Sequence, residues 1–202
     1  MEQYKTVLEG GTGEIVEKKS RFIATVRPVR NEEEALAFLE EMRKQYWDAR
    51  HNCYAYCIGK KQELKRCSDD GEPSQTAGKP MLDVLTGAGL CDTVVVVTRY
   101  FGGTLLGTGG LVRAYTAAAS GALQSAELVS MRLVVDCKVR VSYAQFEQAQ
   151  RIIAAAETRL DEPVFDDAVT LCWRMPAGQE GALRTALNEL TRGGAEVEIS
   201  AP

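Results

Sequence analysis

The segment best suited to binding or catalysis by its residue types is RYFGGTLLGTGGLVRAY, residues 99–115, which combines arginines with glycines. Glycine lets backbone amides approach a ligand closely, and the first turn of a helix directs free N–H groups outward. Guanidinium groups bind oxyanions through paired hydrogen bonds, so this pattern predicts an anion-binding or nucleic-acid-binding corner. Its predicted members are Arg99, Tyr100, Gly102, Gly103, Gly107, Gly109, Gly110 and Arg113, with Lys19, Arg21 and His51 as an extension.

A structural alternative stays open for the same residues. The glycines could form only a tight corner, with Arg99 and Arg113 paired to carboxylates. The two specific nucleotide motifs do not fit, because Thr108 stands where a P-loop needs lysine and Val112 replaces the third glycine of a dinucleotide fingerprint. The segment therefore indicates a general anion site or a corner, and no named nucleotide.

A second polar stretch, SDDGEPSQTAGKP at residues 68–80, carries more polar groups than a connector needs. Its carboxylates could hold a divalent ion, but we expect a solvated turn that pairs with the arginines. A hydrolase triad built on His51 is not expected, since neither Ser68 nor Ser74 lies in a nucleophile-elbow pattern. The candidate residues of this acidic partner loop are Asp69, Asp70, Glu72, Thr76 and Lys79.

The composition predicts a cytoplasmic protein without metal or cofactor. The formal net charge of −4 gives no overall basic field, so any RNA site must be a local patch. The first residues contain no apolar signal core, and no run reaches membrane-spanning length, so no membrane contact is expected. The six cysteines are expected to be reduced. Cys53 and Cys57 would lie ~13 Å apart along a strand, too far to chelate one ion.

Hydrophobic periodicity predicts an α+β fold in two domains, residues 1–130 and residues 131–202. In the first domain we expect strands at Tyr4–Leu8 and Arg21–Val29, with Gly10, Gly11 and Gly13 forming the turn between them. Asn31 is expected to cap a helix. The apolar run DTVVVVTRY, residues 92–100, predicts a central strand, and an Ala-rich helix follows the glycine segment. The predicted apolar stripe of the capped helix comprises Ala35, Leu36, Leu39 and Met42.

The second domain is predicted to be small and ferredoxin-like. From residue 131 the pattern indicates a strand, a helix, one or two strands, a second helix and a closing strand. That order in about seventy residues is typical of a split βαβ sandwich.

Four stretches together resemble the YigZ/IMPACT family. They are KKSRFIA, AxHNCYAY, SDDGEPSxTAGKPML and VVVTRYFGGxxLGTGGLVRAY, and they span residues 18 to 115. The resemblance implies a first domain similar to the second domain of a small-subunit ribosomal protein. It implies a second domain similar to the last domain of elongation factor G, as in bacterial members. One departure is Gln75, where the family usually has glycine.

The same resemblance implies a role linked to RNA or the ribosome. Eukaryotic members are associated with translational control, and both structural relatives of the domains act on ribosomal RNA. We therefore expect a non-enzymatic protein that binds RNA or a ribosome-associated partner and regulates translation. The alternative is an enzyme acting on a phosphorylated small molecule at the glycine-rich loop, with Asp69, Asp70 or Glu72 as base or metal ligand. The sequence does not indicate the oligomeric state.

Overall fold

A computed structural model describes residues 3–200 and divides them into two compact units. One unit comprises Tyr4–Met131, and the other comprises the residues from Arg132 onward together with Gln3. The elements of the first are β1 (Gln3–Glu9), β2 (Gly11–Glu17), β3 (Ser20–Pro28), α1 (Glu32–Gln45), β4 (His51–Ile58), β5 (Leu64–Ser68), α2 (Gly78–Gly87), β6 (Thr93–Tyr100), α3 (Gly107–Ser125) and β7 (Glu127–Arg132).

The main sheet of the first unit is antiparallel, with strand order β2-β3-β6-β4-β5. The predicted central strand is β6, whose valines are all buried because helices cover both faces of the sheet. Alternate residues point to opposite faces, so Val95 and Val97 pack in one core beneath α2 and α3. Val94 and Val96 belong to the other core, beneath α1. β1 pairs with β7 in a separate two-stranded ribbon.

Helix α1 begins as predicted, with the Asn31 side chain accepting a hydrogen bond from the Glu34 amide at 2.9 Å. Its buried stripe differs from the prediction at one position. Leu36 is exposed, and Phe38 is buried instead.

The prediction of a glycine turn between the first two strands is wrong, because Gly11 and Gly13 lie inside β2. A Cβ atom at Gly13 would lie 2.5 Å from the Ala122 backbone nitrogen in α3. These glycines therefore let a helix approach a strand closely. The turn after β2 is formed by Lys18 and Lys19, since Glu17 pairs with Ser20.

The second unit has the predicted ferredoxin-like arrangement. Its strand order is β10-β11-β8-β12, with β9 also paired to β11, and all these pairings are antiparallel. Both helices contribute to one core around Trp173, while salt bridges join Arg174 to Asp136 on the opposite face of the sheet. Its elements are β8 (Val134–Val141), α4 (Tyr143–Ala154), β9 (Arg159–Leu160), β10 (Val164–Phe165), β11 (Val169–Pro176), α5 (Glu180–Thr191) and β12 (Glu198–Ser200).

None of the helices within residues 3–200 combines the length and apolar character needed to cross a bilayer. Over the same residues, no group of three or more histidine, cysteine or acidic side chains is arranged to hold a metal ion. The six cysteines are free thiols.

Candidate functional site

The predicted site residues converge at one end of the main sheet. Arg21 at the start of β3 pairs with Tyr100 at the end of β6, and His51 at the start of β4 pairs with Arg99. The loop from β6 to α3 contains the glycines, and the loop from β5 to α2 contains the carboxylates. Antiparallel pairing therefore brings both predicted loops to the same end of the sheet.

Arg99 lies inside the protein and is paired with a carboxylate. Its Nη1 donates to Glu72 Oε1 at 2.6 Å, and the side chains of Arg99 and Glu72 are only 7% and 3% exposed. The parity of β6 explains this burial, because Arg99 points to the same face as Val95 and Val97. Arg99 therefore pairs with a carboxylate of the acidic loop, as in the alternative to an anion-binding role that the sequence left open.

Further buried polar groups surround this pair. Tyr115 Oη donates to Glu72 Oε1 at 2.7 Å, and Cys53 Sγ lies 3.3 Å from Tyr115 Oη. Burial raises the pKa of the Cys53 thiol and that of the Tyr115 hydroxyl above their ordinary values. Both groups therefore keep their protons at neutral pH. Cys53 is a poor nucleophile for that reason.

The remaining carboxylates of the acidic loop are engaged by the protein's own backbone. Asp69 accepts three amide hydrogen bonds, from Gln75, Ala77 and Gly78, at 2.7 to 2.9 Å, and so occupies the N-terminus of α2. Asp70 accepts from the Asn52 amide at 2.7 Å.

The other predicted residues of this region stabilise the loop and its helix. His51 Nδ1 lies 2.8 Å from the Asp70 carbonyl oxygen. Thr76 is buried and donates to the Pro73 carbonyl oxygen at 2.6 Å. Lys79 forms an exposed ion pair with Asp83, one turn along α2. The His51 contact joins the acidic loop to β4, whereas the Thr76 contact lies within the loop and the Lys79 contact lies within α2.

Gln75, the departure from the family pattern, has a left-handed backbone conformation with φ of 62°. Glycine adopts this conformation without strain, whereas a residue with a Cβ atom does so at a cost. At residue 75 the loop thus has a backbone shape that suits the family's usual glycine.

The glycine loop contacts the lysine turn through backbone atoms. A Cβ atom on Gly102 would lie 2.0 Å from the carbonyl carbon of Lys19 and 2.2 Å from the Ser20 nitrogen. The Gly102 amide donates to Ser20 Oγ at 3.1 Å. Gly103 has φ of 83°, which favours glycine. The loop is therefore fixed at its start against the β2–β3 turn.

Exposed cationic side chains lie on the solvent-facing side of the glycine loop and the β2–β3 turn. Lys18 and Lys19 are exposed, and both have left-handed backbone conformations, with φ of 46° and 66°. Arg113 is exposed too, and its Nη1 would lie 3.6 Å from a Cβ atom on Gly109. Its guanidinium therefore extends back over the first turn of α3. We call the surface formed by Lys18, Lys19, residues 101–110 and Arg113 the exposed corner.

The N-terminus of α3 adjoins these cations. Gly107 and Gly109 are exposed in its first turn, and Gly110 is buried. The N-cap residue is Leu106, whose side chain has no atom that could accept a hydrogen bond. The helix N-terminus therefore has partial positive charge without a capping side chain of its own.

Two predicted residues lie on the other face of the sheet. Arg21 forms a bidentate pair with Glu14 at 2.6 and 2.9 Å, and the Tyr100 hydroxyl donates to Asp48 at 2.8 Å. Arg21 and Tyr100 occupy strand positions whose side chains face the side of the sheet covered by α1. The structure thus separates the predicted set into an exposed corner, a buried Arg99 cluster and these two residues.

Sequence reasoning missed several residues of this region. Ser20 and Tyr115 hold the buried cluster together, and the exposed side chain of Phe101 contacts it from outside. One signal was available: Tyr115 is a hydroxyl-bearing residue on the Ala-rich, buried side of α3, where a polar atom needs a partner.

Comparisons with known proteins place both units in described families. Residues 18–123 match the model of the Impact N-terminal domain, and residues 139–193 match a domain of unknown function, DUF1949. The IMPACT family member YvyE of Bacillus subtilis is 38% identical, over 98% of this chain and 91% of that protein. The IMPACT family member YigZ of Escherichia coli is 35% identical, over 87% of each chain.

A eukaryotic relative and a solved structure extend this result. Protein IMPACT of Mus musculus is 37% identical over 46% of this chain and 30% of its own length. A crystal structure described as a hypothetical protein is 33% identical, with a TM-score of 0.64 over 100% of this chain and 98% of the other.

Proposed function

This chain belongs to the IMPACT family, and we propose that it is a translation-linked protein that binds RNA through the exposed corner. The observation that carries the proposal is the Lys18–Lys19 turn. It packs backbone to backbone on the glycine loop that leads to the N-terminus of α3. Lysine, arginine and helix N-termini are the groups that bind phosphates in nucleic-acid complexes.

The backbone of the lysine turn supports the same proposal. Two-residue hairpin turns with two left-handed residues favour Asn-Gly, and lysine in such positions is strained. Strain of this kind is kept where the side chains are needed, so the turn is consistent with a functional demand for two adjacent cations.

The acidic loop favours binding over catalysis. An enzyme acting on a phosphorylated small molecule would need Asp69, Asp70 or Glu72 as base or metal ligand. Each of these carboxylates accepts hydrogen bonds from the protein itself. A ribosome-associated protein partner is the competing outcome of the experiment below.

The Lys18→Asn/Lys19→Gly variant separates binding from folding. It places the preferred residues in the turn, so we expect it to unfold at a higher temperature than the wild type. It also removes two cations, so we expect weaker binding of a labelled single-stranded uridine oligonucleotide in fluorescence anisotropy. The slope of log affinity against log salt should fall by about 0.7 for each phosphate that the variant no longer neutralises.

A matched control removes the same charge elsewhere. Lys60 and Lys61 follow β4 at the opposite end of the sheet, so Lys60→Ala/Lys61→Ala should leave the salt slope unchanged. Equal losses of affinity in the two double variants would contradict a local site. If the wild type bound no RNA, the proposal would be wrong and a protein partner would replace it.

A further inference from the structure

Phe101 is an exposed aromatic side chain in the middle of the exposed corner. It directly follows β6, and 53% of its surface is accessible. Single exposed apolar side chains are common on protein surfaces, and Trp47 of the same unit is 82% exposed. Phe101 differs in its location, because the residue that follows it packs on the lysine turn. Its position beside the lysine turn suggests contact with a ligand.

The inner side of the Phe101 ring rests on a rigid support. The Arg99 guanidinium carbon lies 5.7 Å from the Phe101 ring centroid and 5.3 Å from that of Phe22. The same guanidinium forms the ion pair with Glu72 at 2.6 Å. Arg99 Nε is buried without an acceptor among the described residues, while Nη2 donates to Ser20 Oγ at 3.5 Å. The guanidinium is therefore held by hydrogen bonds of its two terminal nitrogens and by the ring contacts. The ring of Phe101 is thus backed on one side and accessible on the other.

Such a ring is suited to stacking against a nucleobase. Every base has a π-face, and bases that are not paired in a duplex can leave their stack to cover an aromatic side chain. The neighbouring lysines would hold the adjacent phosphates, since Gly102 joins Phe101 to the lysine turn. A duplex offers its phosphates to the same cations but keeps its base faces covered.

We infer that the RNA ligand of the exposed corner is single-stranded and that Phe101 is the platform on which an unpaired base stacks. This inference rests on the proposed function, because it names the class of RNA that the same surface binds. It adds a requirement for an exposed base, which phosphate contacts alone do not impose.

A thermodynamic cycle tests the stacking contact. The variants are wild type and Phe101→Leu, and the probes are a uridine oligonucleotide and an oligonucleotide of the same length in which every residue is abasic. Base–aromatic stacking predicts that Phe101→Leu weakens binding of the uridine oligonucleotide by about 5- to 150-fold. The same substitution should leave binding of the abasic probe and of duplex RNA unchanged.

Two further variants test whether loss of the aromatic ring causes the weaker binding of Phe101→Leu. Phe101→Trp should bind the uridine oligonucleotide at least as well as the wild type, because it keeps an aromatic face. Trp47→Leu makes the same kind of change at an aromatic side chain that is 82% exposed and lies outside the exposed corner, and should leave binding unchanged. Thermal melting of each variant verifies that it is folded.

The outcomes separate this inference from the proposed function. Equal binding of the uridine oligonucleotide by Phe101→Leu and the wild type would overturn the stacking role, while salt-dependent binding would leave the proposed function intact. Equal losses of affinity in Phe101→Leu and Trp47→Leu would also overturn it, since loss of any exposed aromatic ring would then have the same effect. If the wild type bound none of the probes, the proposed function itself would fail.

Discussion

Arg99→Ala is expected to lower the free energy of unfolding by about 3–5 kcal/mol. The reason is that Arg99 and Glu72 are a buried ion pair, with a distance of 2.6 Å between Nη1 and Oε1. Removing the arginine leaves a buried carboxylate whose remaining partner is the Tyr115 hydroxyl. Urea denaturation followed by circular dichroism measures the change.

Three further variants test whether the loss of stability comes from breaking the Arg99–Glu72 ion pair. Arg113→Ala removes an exposed arginine of the same segment and should change stability by less than about 0.5 kcal/mol. Replacing both partners, by Arg99→Met with Glu72→Leu, should recover much of the stability because no buried charge remains unpaired. Glu72→Gln provides a milder version if Arg99→Ala does not fold, and should also be destabilising. A loss below about 1 kcal/mol in Arg99→Ala would contradict this account of the cluster.

Gly102→Ala is expected to destabilise the protein by about 3 kcal/mol or more. Its Cβ atom would lie 2.0 to 2.2 Å from backbone atoms of Lys19 and Ser20, which belong to a hydrogen-bonded turn and strand. Backbone atoms cannot rotate away as a side chain does, so β3 or the glycine loop must shift. Thermal and urea unfolding both report the loss of stability.

The matched control is another glycine-to-alanine change. Gly121 lies in the C-terminal part of α3, and a Cβ atom there would meet no atom within 4 Å beyond its chain neighbours and the adjacent backbone of its own helix. Gly121→Ala should therefore stabilise the helix by roughly 0.5–1 kcal/mol. If the two variants shifted stability in the same direction, the close approach at Gly102 would not explain its glycine.

Strong local signals made much of the fold predictable. The valine run of β6 indicated a strand covered on both faces, and Asn31 followed by three glutamates indicated a capped helix. Gly11 and Gly13 misled the prediction because glycine often marks a turn. Their actual reason is the close approach of α3, about a hundred residues away in sequence, and no local pattern contains that information.

The site was predictable in location but less so in the role of each residue. The register of three antiparallel strands brings the two polar loops together, which the sequence could suggest only as a set of candidates. Whether Arg99 faces inward depends on strand parity and on the presence of Glu72 and Tyr115 beneath it. Arg113, on the helix that follows, is exposed instead. Identical residue types thus acquire different roles from burial alone.

Amide chemical shifts would show, residue by residue, whether RNA binds at the exposed corner. A ¹⁵N-labelled sample of the full chain would be titrated with the single-stranded uridine oligonucleotide at low salt. We expect the largest shifts on Lys18, Lys19 and residues 101–110, and we expect these shifts to decrease as salt is added. Shifts centred on the sheet of the second unit, or a titration without shifts, would contradict it.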